Sequence, residues 1–265
     1  MLVWSSSGRA WAWGVLLACF FLIYGVPLAI IALASVAGEW NSVLPEKFTF
    51  LHYRHAFSGE ASAQLRASIA TGAIASLVAL VAGTWSALAL RTIARVPRRV
   101  LDMLFFVPSA VPSVSVGLGL LVAFSRPPVL LNGTTAIVII AHLVLISAFT
   151  YGNVSAGLSR LPADVEQIAE SLGATPAYRL RRITLPLLAP YLVAAFSLSF
   201  AMSMGELGAT VMVYPPGWVT LPVGIFALTD RGAVFDGAAL TVVLAATTLL
   251  VLFGLSRMPS RAVAR

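Results

Sequence analysis

Charged residues and cysteine are scarce in this 265-residue sequence. Only 10% of the residues are charged, whereas a soluble domain has roughly a quarter. This low charge content excludes an ordinary soluble globular protein. The single cysteine, Cys19, excludes a disulfide framework and a metal site built from cysteines. Hydrophobic residues make up 59% of the chain, which indicates an integral membrane protein.

Motifs for catalysis and for nucleotide binding are also missing. The sequence has no glycine-rich stretch that ends in Gly-Lys-Ser/Thr, so we do not expect this chain to bind ATP. No Ser/His/Asp arrangement stands out, so we predict no catalytic residues, no bound cofactor and no enzyme. His52 and His55 have the spacing of one helix face, but no third ligand lies nearby in the sequence. We therefore predict no metal site.

The sequence does contain long apolar runs. A helix needs about 20 apolar residues to cross a hydrocarbon core about 30 Å thick, because it rises about 1.5 Å per residue. Six runs qualify, and they are continuous, which predicts helices and not barrel strands. They are Trp11–Val36, Ser68–Leu90, Met103–Phe124, Ala136–Val154, Ala189–Val213 and Gly237–Leu255. We expect an all-α membrane protein with six transmembrane helices in a single domain, residues 1–265.

The basic residues are distributed unevenly between the two sides of the predicted helices. Most of the 17 basic residues fall in the loops and termini of one side. Because cytoplasmic loops carry an excess of Lys and Arg, both termini are predicted to lie in the cytoplasm. The net charge of +7 then reflects arginines beside anionic lipid and gives no case for nucleic acid.

A polar segment of about residues 157–187 separates the fourth and fifth runs. Val165, Ile168, Ala169 and Leu172 have the spacing of one helix face, and polar residues occupy the other. Gly173 suits a left-handed cap, and the chain should start a second helix at Pro176 and break it at Pro186. Periodicity alone leaves two readings open, a helical hairpin that docks on a partner and one that rests on the lipid surface.

The residue order in this segment resembles a known motif. Gln167, Ala169, Gly173, Ile183, Leu185 and Pro186 resemble the cytoplasmic loop motif of type I binding-protein-dependent ABC importer permeases. Gln167 stands where that family prefers Glu, and Ile168 where it prefers Ala. The resemblance implies that residues 157–187, which we call the coupling loop, dock on an ATPase subunit. The implied ATPase-coupling residues are Asp164, Glu166, Gln167, Ala169, Glu170, Gly173, Ile183, Leu185 and Pro186.

Longer stretches resemble permeases of 2-aminoethylphosphonate importers, which belong with the sulfate, molybdate and ferric iron permeases. These stretches include "VPSAVPSVSVGLGLLVAFS" and "SMGELGATVMVYPPGWVTLPV". The resemblance implies a bacterial inner-membrane permease that forms half of a pathway for 2-aminoethylphosphonate. It also implies a second permease, identical or homologous, and two ATP-binding subunits that use ATP and Mg. An external solute-binding protein would dock on the outer loops Trp40–Ser58 and Tyr214–Arg231, although their aromatic residues could instead anchor the chain in the bilayer.

Other transport functions stay open at this point. The chain could be a permease of the same class for sulfate, molybdate, phosphate or ferric iron. An ion-coupled secondary transporter with Glu206 as its ion site, or a membrane enzyme, is less well supported by the sequence.

Polar and helix-breaking residues inside the spans are candidates for a translocation path or gate. Prolines and serines in the third run predict a bend near Pro112, as part of the path or as a packing kink. A carboxylate in the fifth run, Glu206, is expected near the middle of that span, with a structural or gating role. The candidate path or gate residues are Pro112, Ser113, Ser115, Ser203, Glu206 and Thr210.

Overall fold

Helices dominate the computed structural model, which describes residues 6–257. The elements are α1 (Ser6–Phe20), α2 (Val26–Ala34), β1 (Ala37–Glu39), β2 (Lys47–Phe48), α3 (Leu51–Ala56), α4 (Gly59–Leu90), α5 (Arg95–Ala110), α6 (Ser113–Ala123), α7 (Thr135–Arg160), α8 (Ala163–Ser171), α9 (Pro176–Arg179), α10 (Leu185–Met204), α11 (Thr210–Val213), α12 (Leu221–Asp230) and α13 (Val234–Ser256). This confirms the all-α prediction. A two-stranded antiparallel ribbon, β1–β2, and the short helix α12 lie where the sequence predicted loops.

Five stretches of helix within residues 6–257 are long and apolar enough to cross a membrane. They are Gly8–Ala34, Gly59–Leu90, Thr135–Arg160, Pro176–Met204 and Val234–Ser256. A sixth candidate is a bent pair, Pro97–Ala110 and Ser113–Ala123, whose two halves meet at 99°. The six predicted runs therefore correspond to five continuous spans and one broken one.

The break in the third span follows from its proline. Val111 is extended, with φ −95° and ψ 134°, as expected for a residue before proline. Pro112 is the N-cap of α6, also outside the helical region. The predicted bend near Pro112 is confirmed.

Two π-helical segments let the chain pass prolines without a break. Phe21–Gly25 precedes Pro27, and Leu180–Thr184 precedes Pro186. Proline lacks an N–H and its ring clashes with the preceding turn, and a wider turn relieves that clash. The helix that begins at Pro176 continues through Pro186 to Met204. The predicted helix break at Pro186 is therefore wrong.

The fifth span ends earlier than its hydrophobicity predicted. Helix α10 stops at Met204, with Gly205 as its C-cap, and helical structure resumes only at Thr210. Residues 205–209, which we call the 205–209 break, contain two glycines, and glycine has low helix propensity. The predicted continuation of the span to Val213 is wrong. A run of apolar residues indicates that a segment is buried in lipid, but it does not show that the helix is unbroken.

The described chain divides into two compact units, residues 6–62 with 224–245 and residues 63–223 with 246–257. In the first unit, Ser35 Oγ and Tyr53 Oη are hydrogen bonded at 2.7 Å, and His52 Nδ1 lies 2.8 Å from Asp236 Oδ1. In the second unit, α7 carries several fully buried side chains, Tyr151 and Val154 among them. A single domain over residues 1–265 stays a prediction.

Helix α5 is joined to α7 by an aromatic and polar contact. The ring of Tyr151 stacks on Phe105 with centroids 4.2 Å apart. Its hydroxyl donates a hydrogen bond to Asp102, and Arg98 lies 3.7 Å from the same carboxylate. These contacts fix the first half of the broken span against the centre of the second unit.

Candidate functional site

Within the coupling loop, helix α8 ends in a sharp turn. Gly173 has φ +83°, a left-handed conformation that glycine adopts without a steric penalty. Its N–H donates to the carbonyl of Glu170, and the N–H of Ala174 donates to Ala169, both at 2.9 Å. This pair of bonds is a Schellman motif, which ends a helix and reverses the chain. The predicted left-handed cap at Gly173 is confirmed.

The second limb of the coupling loop is the start of a membrane-spanning helix. Thr175 caps it, since its hydroxyl accepts the N–H of Tyr178 at 3.3 Å, and Pro176 follows at the first helical position. Arg179 Nη1 donates to Glu170 Oε2 at 2.6 Å and joins the second limb to α8. Because helix continues from Pro176 to Met204, a displacement of this limb is a displacement of the span.

One face of the coupling loop exposes apolar side chains. Ile168 is 59% exposed and Leu172 is 83% exposed, and Val165 and Tyr178 are also exposed. Asp164 and Gln167 are exposed as well, whereas Ala169, Ile183 and Leu185 are half-buried. An uncovered apolar stripe on an amphipathic helix indicates a surface that a partner or lipid covers.

Glu166 points toward the rest of its own chain. Its two carboxylate oxygens accept hydrogen bonds from Arg91 Nη1 and Nη2, both at 3.1 Å, and Oε1 also accepts from Thr184 Oγ1 at 2.8 Å. The Arg91 hydrogen bonds lower the pKa of Glu166 from its ordinary value, and partial burial opposes that shift. The carboxylate that sequence reasoning placed among the ATPase-coupling residues is thus engaged within the chain.

A second cluster of candidate residues lies where two helix breaks meet. A Cβ added to Gly117 of α6 would lie 2.6 Å from the carbonyl oxygen of Ala209. A Cβ on Gly208 would collide with Ser113 Oγ and lie 3.3 Å from the backbone N of Val114. The start of α6 therefore packs directly on the 205–209 break, and at Gly117, where the neighbour is backbone, a larger residue would force the backbone to move.

His142 of α7 hydrogen bonds to both sides of the 205–209 break. This side chain is 1% exposed, with Nδ1 2.6 Å from Ser203 Oγ and Nε2 2.8 Å from Thr210 Oγ1. His142 was not among the site residues predicted from the sequence. The sequence did contain a sign of it, because His142 is a titratable residue inside an apolar run. Such a residue is costly in a membrane unless it has hydrogen-bond partners.

Glu206 occupies a different position from the one predicted. It lies in the 205–209 break and is half-buried, and its Oε1 accepts the N–H of Ala209 at 2.7 Å. The expected location in the middle of a helical span is wrong, because the helix ends at Met204. The carboxylate therefore binds a backbone N–H of the break itself, at the residue before the short helix α11.

The six candidate path or gate residues separate into two groups. Ser113, Ser203, Glu206 and Thr210 lie in the cluster around the 205–209 break. Pro112, the N-cap of α6, and Ser115, in its first turn, are both exposed, and the N–H of Ser115 donates to the carbonyl of Pro112 at 2.9 Å.

The two candidate metal-binding histidines face a carboxylate. His52 Nδ1 and His55 Nδ1 lie 2.8 and 3.4 Å from Asp236 Oδ1. Within residues 6–257, no group of three or more His, Cys, Asp or Glu side chains is arranged to hold a metal ion.

Comparison with known proteins gives consistent matches across the chain. Residues 79–260 match the family of binding-protein-dependent transport system inner membrane components. A protein of Salmonella paratyphi A named as a 2-aminoethylphosphonate transport system permease is 56% identical over 261 residues, which are 98% of each chain. The molybdenum transport system permease of Mycobacterium bovis is 32% identical and aligns over 69% of this chain and 75% of its own.

A solved structure shares the fold. It is a bacterial alginate ABC transporter in complex with an alginate pentasaccharide-bound periplasmic protein. The superposition has a TM-score of 0.75 with 19% sequence identity and covers 97% of both chains. At this identity the likeness shows the fold alone.

Proposed function

Because this chain belongs to the family of binding-protein-dependent transport system inner membrane components, we propose that it forms half of an ATP-driven import pathway for 2-aminoethylphosphonate. The substrate assignment rests on the 56% identity to a 2-aminoethylphosphonate permease over 98% of both chains. The molybdenum permease is far less similar, at 32%, and covers less of the chain. An oxyanion such as molybdate is therefore the second candidate.

The coupling loop supplies the mechanical part of this function. Its exposed apolar stripe, with Ile168 and Leu172, is the surface for a partner ATPase subunit. ATP hydrolysis belongs to that partner, and this chain contributes no catalytic residue. When two ATPase subunits close, they push on α8 and on the second limb, which is continuous with the span that ends at Met204. The spans then alternate between inward-facing and outward-facing states.

The movement of the spans reaches the translocation pathway at the cluster of residues around the 205–209 break. The span that starts in the coupling loop ends at the 205–209 break, and the bent third span packs on the same break. Two discontinuous helices in contact provide backbone that can rearrange at membrane depth, which continuous helices cannot. Glu206, Ser113 and Thr210 lie at this contact and form the gate.

The assembly has a second permease, identical or homologous, two ATP-binding subunits and a periplasmic solute-binding protein. The solved alginate transporter with its periplasmic protein supports the last partner. The chain lies in a bacterial inner membrane with both termini in the cytoplasm, as the arginine distribution predicts. With that orientation, the coupling loop faces the cytoplasm, where the ATPase subunits operate.

Uptake in cells tests the substrate and the energy source together. Labelled 2-aminoethylphosphonate is supplied to cells with and without this gene, with the binding protein and ATPase genes present. We expect uptake that requires the gene and competes with phosphonates but not with sulfate, molybdate, phosphate or ferric iron. Competition by molybdate instead would support the second candidate. Uptake that survives loss of ATP but not loss of the ion gradient would contradict an ATP-driven importer.

A further inference from the structure

Three parts of the chain that are distant in sequence meet at one carboxylate. Arg91 is the first residue after helix α4, Glu166 lies in α8, and Thr184 is the last residue of the π segment before α10. Glu166 accepts two hydrogen bonds from Arg91 and one from Thr184. Thr184 lies within the continuous membrane-spanning helix Pro176–Met204, and Arg91 directly follows the spanning helix Gly59–Leu90.

The Arg91–Glu166 contact has the features of a strong ion pair. Arg91 Nη1 donates to Glu166 Oε1 and Nη2 donates to Oε2, the bidentate geometry that fixes direction as well as distance. The side chains of Arg91 and Glu166 are 31% and 26% exposed, so solvent screens the pair less than it does a fully exposed pair. Thr184, which is buried, holds the carboxylate from a second direction.

Helix α8 therefore has two functionally different faces. Ile168 and Leu172 are exposed, as a partner surface requires. Glu166 is turned to Arg91 and Thr184. The second limb moves with α10 because its backbone is continuous, but α4 has no such connection to α8. Within the described part of the coupling loop, the Arg91–Glu166 pair is the ionic link from α8 to α4.

We propose that Glu166 is a positioning residue that transmits the movement of α8 to helix α4 through Arg91, and that it does not contact the ATPase subunit. This rests on the proposed function, because it assumes that an ATPase moves α8. A push on α8 then displaces two spanning helices together, α10 through the backbone and α4 through the ion pair. Without the pair, the ATPase would still dock and hydrolyse ATP, but α4 would follow the movement less closely.

Charge exchange tests this link. The variants are Arg91→Glu, Glu166→Arg and the double exchange, in the complex with its ATPase subunits in lipid. Each single variant should keep ATPase co-purification but lower uptake per ATP hydrolysed by on the order of fivefold or more. The double exchange should recover most of the loss. The matched control is Arg99→Glu, which reverses an exposed arginine of α5 and should leave uptake per ATP unchanged.

A second readout tests the pair independently of the substrate. The melting temperature of the purified complex is measured for the wild type, both single variants and the double exchange. We expect both single variants to melt lower and the double exchange to melt closer to the wild type, the non-additivity of two interacting residues. Additive effects, or loss of ATPase co-purification in Glu166→Arg that Arg91→Glu does not restore, would overturn the proposal. Lack of 2-aminoethylphosphonate uptake by the wild type would instead overturn the proposed substrate and leave the melting result valid.

Discussion

His142 binds Ser203 through one ring nitrogen and Thr210 through the other, at 2.6 and 2.8 Å. These two hydroxyls lie on opposite sides of the 205–209 break. A neutral imidazole has one donor and one acceptor nitrogen, and hydroxyls can play either role, so both bonds are satisfied without a charge. Helix α7 thereby fixes the geometry of the segment that carries Glu206.

Replacing His142 with Leu should destabilise the protein. The change leaves two buried hydroxyls without their partner, and we expect a loss of about 1 to 2 kcal/mol, since hydrogen bonds between membrane helices average about 0.6 kcal/mol each. His142→Gln retains a donor and an acceptor and should lose less. The measurement is the free energy of unfolding in detergent. Equal stability of the Leu and Gln variants would show that packing, and not hydrogen bonding, is what His142 provides.

An alanine at Gly117 should disturb the contact between the broken span and the 205–209 break. Its Cβ would lie 2.6 Å from the Ala209 oxygen and 2.7 Å from the Ala209 Cα, so the backbone must move, at a cost of about 1 to 3 kcal/mol. Gly119 is the matched control, because a Cβ there meets nothing within 4 Å. We expect Gly117→Ala to lower uptake strongly and Gly119→Ala to leave it near the wild-type value. Similar uptake by both variants would contradict a tight contact.

Glu206→Gln should preserve assembly and most uptake. The glutamine oxygen can still accept the Ala209 N–H that Glu206 binds at 2.7 Å. Glu206→Ala removes this hydrogen bond and leaves the Ala209 N–H unpaired, at a cost of about 1 to 3 kcal/mol, and should lower both stability and uptake. Uptake and the yield of assembled complex are measured for both variants. A Gln variant that assembles normally but transports nothing would show that the charge itself is needed for gating or ion coupling.

Acid should weaken the Arg91–Glu166 pair in a defined pH range. Because the pKa of Glu166 is lowered in the folded protein, its stabilising contribution is fully present above its ordinary value of 4.5 and is lost as the pH falls through the folded pKa. We expect the wild type to melt higher than Glu166→Gln at pH 7 by a margin that shrinks below pH 4.5. Melting curves of the two proteins across this range test it. A difference in melting temperature that does not change with pH would contradict a lowered pKa of Glu166.

A charge on the apolar stripe of α8 should prevent ATPase binding. Leu172 is 83% exposed, so Leu172→Glu costs the isolated chain little but places a charge in an apolar interface. We expect loss of ATPase co-purification with normal expression and melting temperature. Val43→Glu is the control, since Val43 is 90% exposed in the loop between β1 and β2. Retained co-purification of the Leu172 variant would favour a loop that rests on lipid.

The local features of this protein were predictable from its sequence. The continuous spans follow from apolar runs of sufficient length, and the bend at Pro112 follows from the backbone limits that proline imposes on itself and its neighbour. The turn at Gly173 follows from the requirement for a positive φ after an amphipathic helix. Each of these depends on interactions within a few residues along the chain.

Contacts between distant residues were decided only by the tertiary structure. Arg91 and Glu166 are 75 residues apart, and His142 and Ser203 are 61 apart, so no local pattern pairs them. The contacts of residues 205–209 with α6, and those of His142 with Ser203 and Thr210 on either side of them, likewise join parts of the chain that no local pattern pairs. Hydrophobicity and local propensity place helices in a membrane, but the partner of a buried polar group depends on which helices pack together.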